Sequence, residues 1–198
     1  MWQAVKDVFP NVSIKGCIFH WSQAVMRKVG NIGLKQTYEG KQAIHWYIKR
    51  LLALPFLPAE HIEIAFNKLK TLASTTELKE LIEYIENQWL GNSVWSVRQW
   101  CVYRQSVRTN NDVEGYHRRI NGKAGRGNVQ MYVLIPLLYA ESELVSIQAQ
   151  QVSEHLLTRY RRPKYRKLHE KLEKLWEAYD TRELITSDFL TEVAKVYM

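Results

Sequence analysis

Residues 41–90 read KQAIHWYIKRLLALPFLPAEHIEIAFNKLKTLASTTELKELIEYIENQWL and determine the character of the fold. Apolar residues recur three and four positions apart, as on one face of an α-helix, in three segments of this stretch: 41–53, 59–73 and 76–90. Pro55 and Pro58 separate the first two segments, and the polar run STTE at 74–77 is typical of a helix start. The stretch therefore predicts a compact all-helical block.

The segments on either side of this block combine further helices with two strands. Before the block, the spacing of apolar residues predicts a helix over 2–9, a strand over 12–19 and a helix over 20–29. After it, a second strand is predicted over 97–104, within an aromatic-rich segment. Three more helices are predicted toward the end of the chain, over 129–157, 163–179 and 187–197. We therefore expect an α/β fold that is predominantly helical.

The composition is that of a globular protein with a sizeable core. Of the 198 residues, 46% are hydrophobic and 12% aromatic, which is enough for one large domain or a domain with an embedded subdomain. Two cysteines, Cys17 and Cys101, are too few for a disulfide framework, and no secretory leader or run of about 18 apolar residues is present. We expect an intracellular protein, nuclear or cytoplasmic, with no membrane partner.

Positive charge is concentrated in two windows of a chain whose formal net charge is +8. Residues 98–126 hold seven basic residues against Asp112 and Glu114, and residues 159–167 hold six basic residues and no acid. Aromatic rings lie among these cations, a combination that suits phosphate neutralisation and stacking on bases. For 159–167, a solvated helix face explains the charges equally well.

The run TNNDVEGYHRR at 109–119 has the pattern of a site. Helix-start residues lead into a turn that places Glu114, His117 and Arg118 on one helix face, where an acid, an imidazole and a cation could hold a metal against a phosphate. The alternative is that Asn111 caps the helix and Glu114 is its capping-box partner.

A second motif, Cys17-x-x-His20, lies where the first predicted strand meets a helix. In α/β folds such junctions are where sites are placed. Three interpretations remain open: a structural zinc site, although no second pair at zinc-finger spacing exists, a buried cysteine with a hydrogen-bonded histidine, or a His20 that faces an active site or DNA.

Together the two motifs resemble the Mutator-like element (MULE) family of DNA transposases. Members of the family show a strand ending in G-C-x-F-H-x-x-Q-A, matched here by Gly16, Cys17, Phe19, His20, Gln23 and Ala24. After a helical insertion they carry T-N-N-x-x-E-G-x-H-R, matched here by Thr109, Asn110, Asn111, Glu114, Gly115, His117 and Arg118. The resemblance covers residues 1–145, and residues 146–198 resemble no family.

The resemblance implies an RNase H-like fold with a catalytic DDE triad. It divides the chain into four parts: a core remnant (1–38), an all-helical insertion (39–92), a return to the core with the Glu114 helix (93–145) and a helical C-terminal extension (146–198). The carboxylates of such a triad hold two divalent ions, Mg2+ or Mn2+, about 4 Å apart, and these cleave and transfer DNA strands. By motif match, Glu114 is the third acid and a metal ligand.

The same resemblance limits what this chain does alone. In the family, the first two acids end strands that precede the equivalent of residues 2–9, so here they would lie upstream of Met1. One carboxylate cannot hold two ions, so we expect the chain alone to bind no catalytic metal and to cleave no DNA. Charge and spacing nevertheless predict DNA phosphate contacts from six side chains: Arg108, His117, Arg118, Arg119, Lys123 and Arg126.

Two functions follow as hypotheses. The chain is either a fragment of a DDE transposase or a domesticated derivative that binds DNA or a protein partner without catalysis. A helical scaffold unrelated to transposition would require both motifs to coincide by chance. Because the missing strands would leave a strand edge unpaired, self-association into a homo-oligomer is a further expectation.

Overall fold

The computed structural model describes residues 7–8, 11, 14–93, 95–109, 111–125, 129–154 and 163–197. The helices in these ranges are α1 (Ile18–Asn31), α2 (Lys35–Gly40), α3 (Gln42–Ala53), α4 (Ala59–Thr71), α5 (Thr76–Ile85), α6 (Val97–Trp100), α7 (Asn111–Ala124), α8 (Met131–Ser153), α9 (Pro163–Asp180) and α10 (Thr186–Tyr197). A 3-10 turn, Leu54–Phe56, follows α3, and a π-helical turn, Glu86–Leu90, extends α5. The protein is therefore predominantly helical, as the sequence predicts.

The three helices of the central block are confirmed as α3, α4 and α5. Their boundaries follow from the signals in the sequence, since Pro55 lies in the 3-10 turn that ends α3 and Pro58 immediately precedes α4. At the start of α5, the Thr75 hydroxyl oxygen accepts a hydrogen bond of 3.2 Å from the Leu78 amide. That bond satisfies one of the amide groups left without a helical partner at a helix start.

Both predicted strands are wrong in the residues that the structure describes, none of which forms a strand. In the segment predicted as 97–104, residues 97–100 form α6, because Ser96 and Gln99 make a reciprocal capping box with the Ser96 amide donating to Gln99 Oε1 at 2.8 Å. In the segment predicted as 12–19, residues 14–17 are neither strand nor helix and Ile18 begins α1. Residues 12–13, and most of the predicted helix 2–9, lie outside the described ranges.

The chain divides into two compact units, of which the first comprises residues 1–109 and 167–198. Its core is built on large buried rings whose polar atoms are paired with backbone carbonyls. The indole of Trp21 donates to the Leu52 carbonyl at 3.0 Å, and that of Trp176 donates to the Phe56 carbonyl at 2.8 Å. Both indoles are therefore buried without leaving an unpaired donor.

Trp176 and the buried residues of α10 place the C-terminal helices in the same core as the central block. Phe189, Leu190 and Val193 of α10 pack there with Leu51 and Ile48 of α3. The predicted insertion (39–92) and much of the predicted extension (146–198) thus share one hydrophobic core in the first unit. The four-part division implied by the resemblance stays a prediction. Its boundaries differ from those of the two compact units.

The second unit comprises residues 110–166 and contains α7 and α8, with the first residues of α9. Ile120 of α7 and Glu141 of α8 are buried, whereas most of α8 is exposed. The exposed apolar side chains of α8 are Met131, Tyr132, Val133, Ile135, Leu138, Tyr139, Leu144, Val145, Ile147 and Val152. Despite these residues, no helix in the described ranges is long and apolar enough to cross a membrane.

Candidate functional residues

The segment with the Cys17 motif is hydrogen-bonded to the segment that leads into the Glu114 motif. The Gly16 amide donates to the Gln99 carbonyl at 2.6 Å, and the Ile18 amide donates to the Arg108 carbonyl at 2.9 Å. Residues 80 to 90 positions apart in the sequence are thus adjacent in the first unit, among them Gly16 of the first motif and the predicted DNA contact Arg108. The contact ends one position before Thr109, where the second motif begins.

Gly16 has a steric role in this contact. A Cβ atom at Gly16 would lie 3.0 Å from both Cα and Cβ of Trp100 and 3.4 Å from the Gln99 carbonyl oxygen. Two of these neighbours are backbone atoms, which cannot move without shifting α6. The glycine of the G-C-x-F-H motif is therefore explained by the close approach of two chain segments.

Cys17 is half-buried and His20 is exposed. The His20 ring lies edge-on to Phe19, with ring centroids 5.6 Å apart, and Phe19 is itself 52% exposed. No group of three metal-ligating side chains occurs within the described ranges. The exposure of His20 leaves its imidazole open to solvent, and the three interpretations of this motif stay predictions.

Glu114, His117 and Arg118 are exposed on α7 of the second unit. Their spacing of three and four residues on a continuous helix places them on one face, as the sequence predicts. Whether Asn111 caps this helix lies outside the described side chains. Glu114 is therefore accessible from solvent, and its role as a third acid stays a prediction.

Two predicted DNA contacts, Arg119 and Lys123, are engaged by a buried carboxylate. Arg119 Nη2 and Lys123 Nζ each lie 2.5 Å from an oxygen of Glu141, whose side chain is only 2% exposed. The hydrogen bond from Lys123 and the charge of Arg119 lower the pKa of Glu141 despite its burial. These two cations therefore connect α7 to α8, and part of their charge is compensated inside the protein.

Arg108, a third predicted DNA contact, packs inside the first unit. Its guanidinium lies over the rings of Trp176 and Tyr197, at 5.8 and 5.9 Å from their centroids. Its Nη1 donates to the Gln105 carbonyl at 2.7 Å and lies 3.1 Å from His169 Nδ1. These contacts give Arg108 a structural role, and its predicted role in DNA binding is untested.

Two other arginines of the 98–126 window, Arg98 and Arg104, are also paired with acids. Arg98 lies 3.0 Å from Glu60, and Arg104 Nη2 lies 2.6 Å from Asp180, which also accepts a hydrogen bond from Tyr103. Burial acts to raise the pKa of Asp180, but the hydrogen bonds from Tyr103 and Arg104 outweigh it and the net shift is downward. Arg126 lies outside the described residues.

A third basic segment, residues 27–50, was missed in the sequence analysis. It carries six basic residues against a single acid, Glu39: Arg27, Lys28, Lys35, Lys41, Lys49 and Arg50. Only Lys28 among these forms an ion pair within the described part of the chain, with Glu80 at 2.6 Å. Counting charge in equal windows along the whole chain would find this segment, which overlaps the helical block only at residues 41–50.

No known protein family, curated protein or solved structure matches this chain. The resemblance to the MULE family therefore rests on the two motifs and their spacing alone, and it stays a prediction.

Proposed function

We propose that this chain is the part of a MULE-type DDE transposase that carries the third catalytic acid, Glu114, and that its own activity is DNA binding. In the full-length protein, Glu114 would hold two Mg2+ or Mn2+ ions together with two upstream aspartates of an RNase H-like core. Strand transfer requires these ions. This chain supplies one acid of the three.

The observation that carries the proposal is the pair of backbone hydrogen bonds from Gly16 and Ile18 to Gln99 and Arg108. They bring together the two segments that the resemblance assigns to one core, across a helical block that the resemblance treats as an insertion. The exposure of His20 and Glu114 supports the proposal further, because both side chains are open to a substrate.

Cleavage is tested by incubating the protein with labelled duplex DNA and Mg2+ or Mn2+. We expect no cleavage, because a single carboxylate cannot hold two ions. Cleavage by the wild-type protein that disappears in Glu114→Gln would overturn this expectation.

DNA binding is tested by fluorescence anisotropy at a series of salt concentrations. Affinity should fall linearly on a log–log plot, with a slope of about −0.9 for each phosphate neutralised. Absence of binding, or binding with no salt dependence, would overturn the proposed activity.

Protein fused to a fluorescent reporter would show whether the chain is nuclear or cytoplasmic.

The alternative is a domesticated transposase derivative that binds DNA or a protein partner without catalysis. The pairing of Arg119 and Lys123 with Glu141 favours this alternative, since it leaves fewer cations on the Glu114 helix for a reacting phosphate. The two functions differ in what the gene encodes ahead of this chain. An in-frame strand that ends in aspartate just upstream of Met1 would support the transposase fragment, whereas DNA binding without any such strand would support the binding module.

We also propose that the protein self-associates. The surface involved is the exposed apolar side of α8 and not an unpaired strand edge. The exposed apolar side chains of α8 form a surface of the kind that marks association sites. Ile135, Leu138, Val145 and Val152 recur at heptad spacing along it, as in a helix that pairs with a second copy. Sedimentation equilibrium should show a dimer that Leu138→Glu dissociates, and a wild-type monomer at all concentrations would exclude this role for α8.

A further inference from the structure

The solvent-facing side of α3 combines aromatic rings with cations. One side of this helix, Tyr47, Ile48, Leu51 and Leu52, is buried in the core. The opposite side, which we call the α3 outer face, consists of the exposed Gln42 and the half-buried His45, Trp46 and Lys49, at the spacing of successive helical turns. Tyr38 of α2 and Lys41, between the two helices, lie next to it.

The rings of the α3 outer face are held in place by contacts with one another. Tyr38 and His45 are stacked, with centroids 4.6 Å apart and planes inclined at 28°. The Trp46 ring is edge-on to His45 at 5.9 Å, and Lys49 Nζ lies 5.4 Å from the Trp46 centroid. Rings that are already ordered lose little conformational freedom when a ligand binds against them.

The cations near these rings are less compensated than those of the predicted DNA-binding window. Within the described residues, Lys35, Lys41, Lys49 and Arg50 form no ion pair, although acids pair with most basic residues of 98–126. The charge balance of 27–50 is +5, from six basic residues and one acid. An uncompensated cluster of this kind attracts a polyanion more strongly than a paired cluster of equal size.

We infer that the α3 outer face, with Lys41 and the neighbouring cations of 27–50, is a DNA-contact surface in which lysines neutralise phosphates and Trp46 packs against the nucleotide. The combination of ordered rings and unpaired cations is what phosphate binding with stacking requires. An acidic protein would satisfy the charges without any use for the rings, so DNA is the better fit. The inference rests on the proposed DNA-binding function and adds to it a contact surface distinct from the Glu114 helix.

The inference is tested with two double variants that remove the same net charge. Lys41→Ala with Lys49→Ala removes two cations from the surface. The control, Lys70→Ala with Lys195→Ala, removes two exposed lysines elsewhere that are ion-paired with Glu86 and Glu192. Circular dichroism of all proteins checks that the fold is intact.

In a salt titration, loss of two phosphate contacts should make the log–log slope less steep by about 2. At 0.1 M salt, the Lys41/Lys49 variant should bind DNA on the order of 10-fold or more weakly, and the control should stay close to the wild type. Trp46→Phe should lose part of the fluorescence quenching that DNA produces in the wild type.

The outcomes separate this inference from the proposed function. If the wild type binds DNA and both double variants bind equally well or equally poorly, the surface assignment is wrong and the DNA-binding function stands. If the wild type does not bind DNA, both are wrong. If poly-glutamate displaces DNA from the wild type at the same charge concentration, the surface is a general acidic-ligand site and the assignment to DNA is overturned.

Discussion

The close approach at Gly16 predicts that Gly16→Ala destabilises the first unit. The added Cβ would lie 3.0 Å from Cα and Cβ of Trp100, a separation tighter than nine in ten real Cβ contacts. Overpacking of this kind costs about 1–3 kcal/mol. If the shift also breaks the 2.6 Å hydrogen bond to Gln99, a further 0.5–1.5 kcal/mol is lost, approximately.

A smaller effect acts in the opposite direction. Replacing glycine by alanine reduces the freedom of the unfolded chain and stabilises the protein by about 0.4–1 kcal/mol. The net result expected for Gly16→Ala is a decrease of about 1–3 kcal/mol in the free energy of unfolding. Urea unfolding followed by tryptophan fluorescence suits the measurement, because Trp21 and Trp100 are stacked 5.0 Å apart beside the substituted position.

Gly30→Ala is the matched control. Gly30 lies within α1, and a Cβ there would meet no atom within 4 Å. We expect it to raise the free energy of unfolding by about 0.5–1 kcal/mol, since alanine is favoured over glycine inside a helix. If Gly16→Ala proves as stable as Gly30→Ala, the segments do not approach as closely as described and the steric explanation of the motif glycine fails.

Three further predictions concern single side chains. Trp176→Phe should lower the free energy of unfolding by about 2–4 kcal/mol in urea, because it removes a buried indole and leaves the Phe56 carbonyl without its donor. For Asp180, whose pKa is lowered from 3.8, the ion pair contributes stability above that value that is lost as the pH falls below it. Thermal melts from pH 6 to pH 2.5 should therefore fall less steeply for Asp180→Asn than for the wild type. Glu141→Gln should release Arg119 and Lys123, so DNA binding should strengthen and its salt slope should steepen by up to about 2. An unchanged slope would exclude these two cations as DNA contacts.

The central helices were predictable because their signals are local. Apolar spacing and the prolines at 55 and 58 determine α3 and α4 without reference to the rest of the chain. The strand predicted over 97–104 is wrong because the Ser96-x-x-Gln99 capping box, a pattern present in the sequence, starts a helix at Val97.

The candidate site was predictable only in part, for a related reason. Motif spacing indicated that Glu114, His117 and Arg118 share a face of one helix, yet no local pattern shows that Glu141 would neutralise Arg119 and Lys123 from another helix. The packing of Arg108 between Trp176 and Tyr197 depends on residues more than 60 positions away. The sequence gives the number of cations in a segment. The strength of phosphate binding depends on which of those cations lack an acid partner in the folded protein.

The position of α10 in the core has a consequence during protein synthesis. Phe189, Leu190 and Val193 are buried against helices made more than 130 residues earlier. The ribosome therefore releases the central block and both motif segments long before the last core helix exists, and the first unit can close only after α10 has emerged. A premature stop codon between Arg119 and Trp176 would remove neither motif. It would nevertheless leave the apolar side of α3 uncovered and the shortened protein exposed to aggregation and proteolysis.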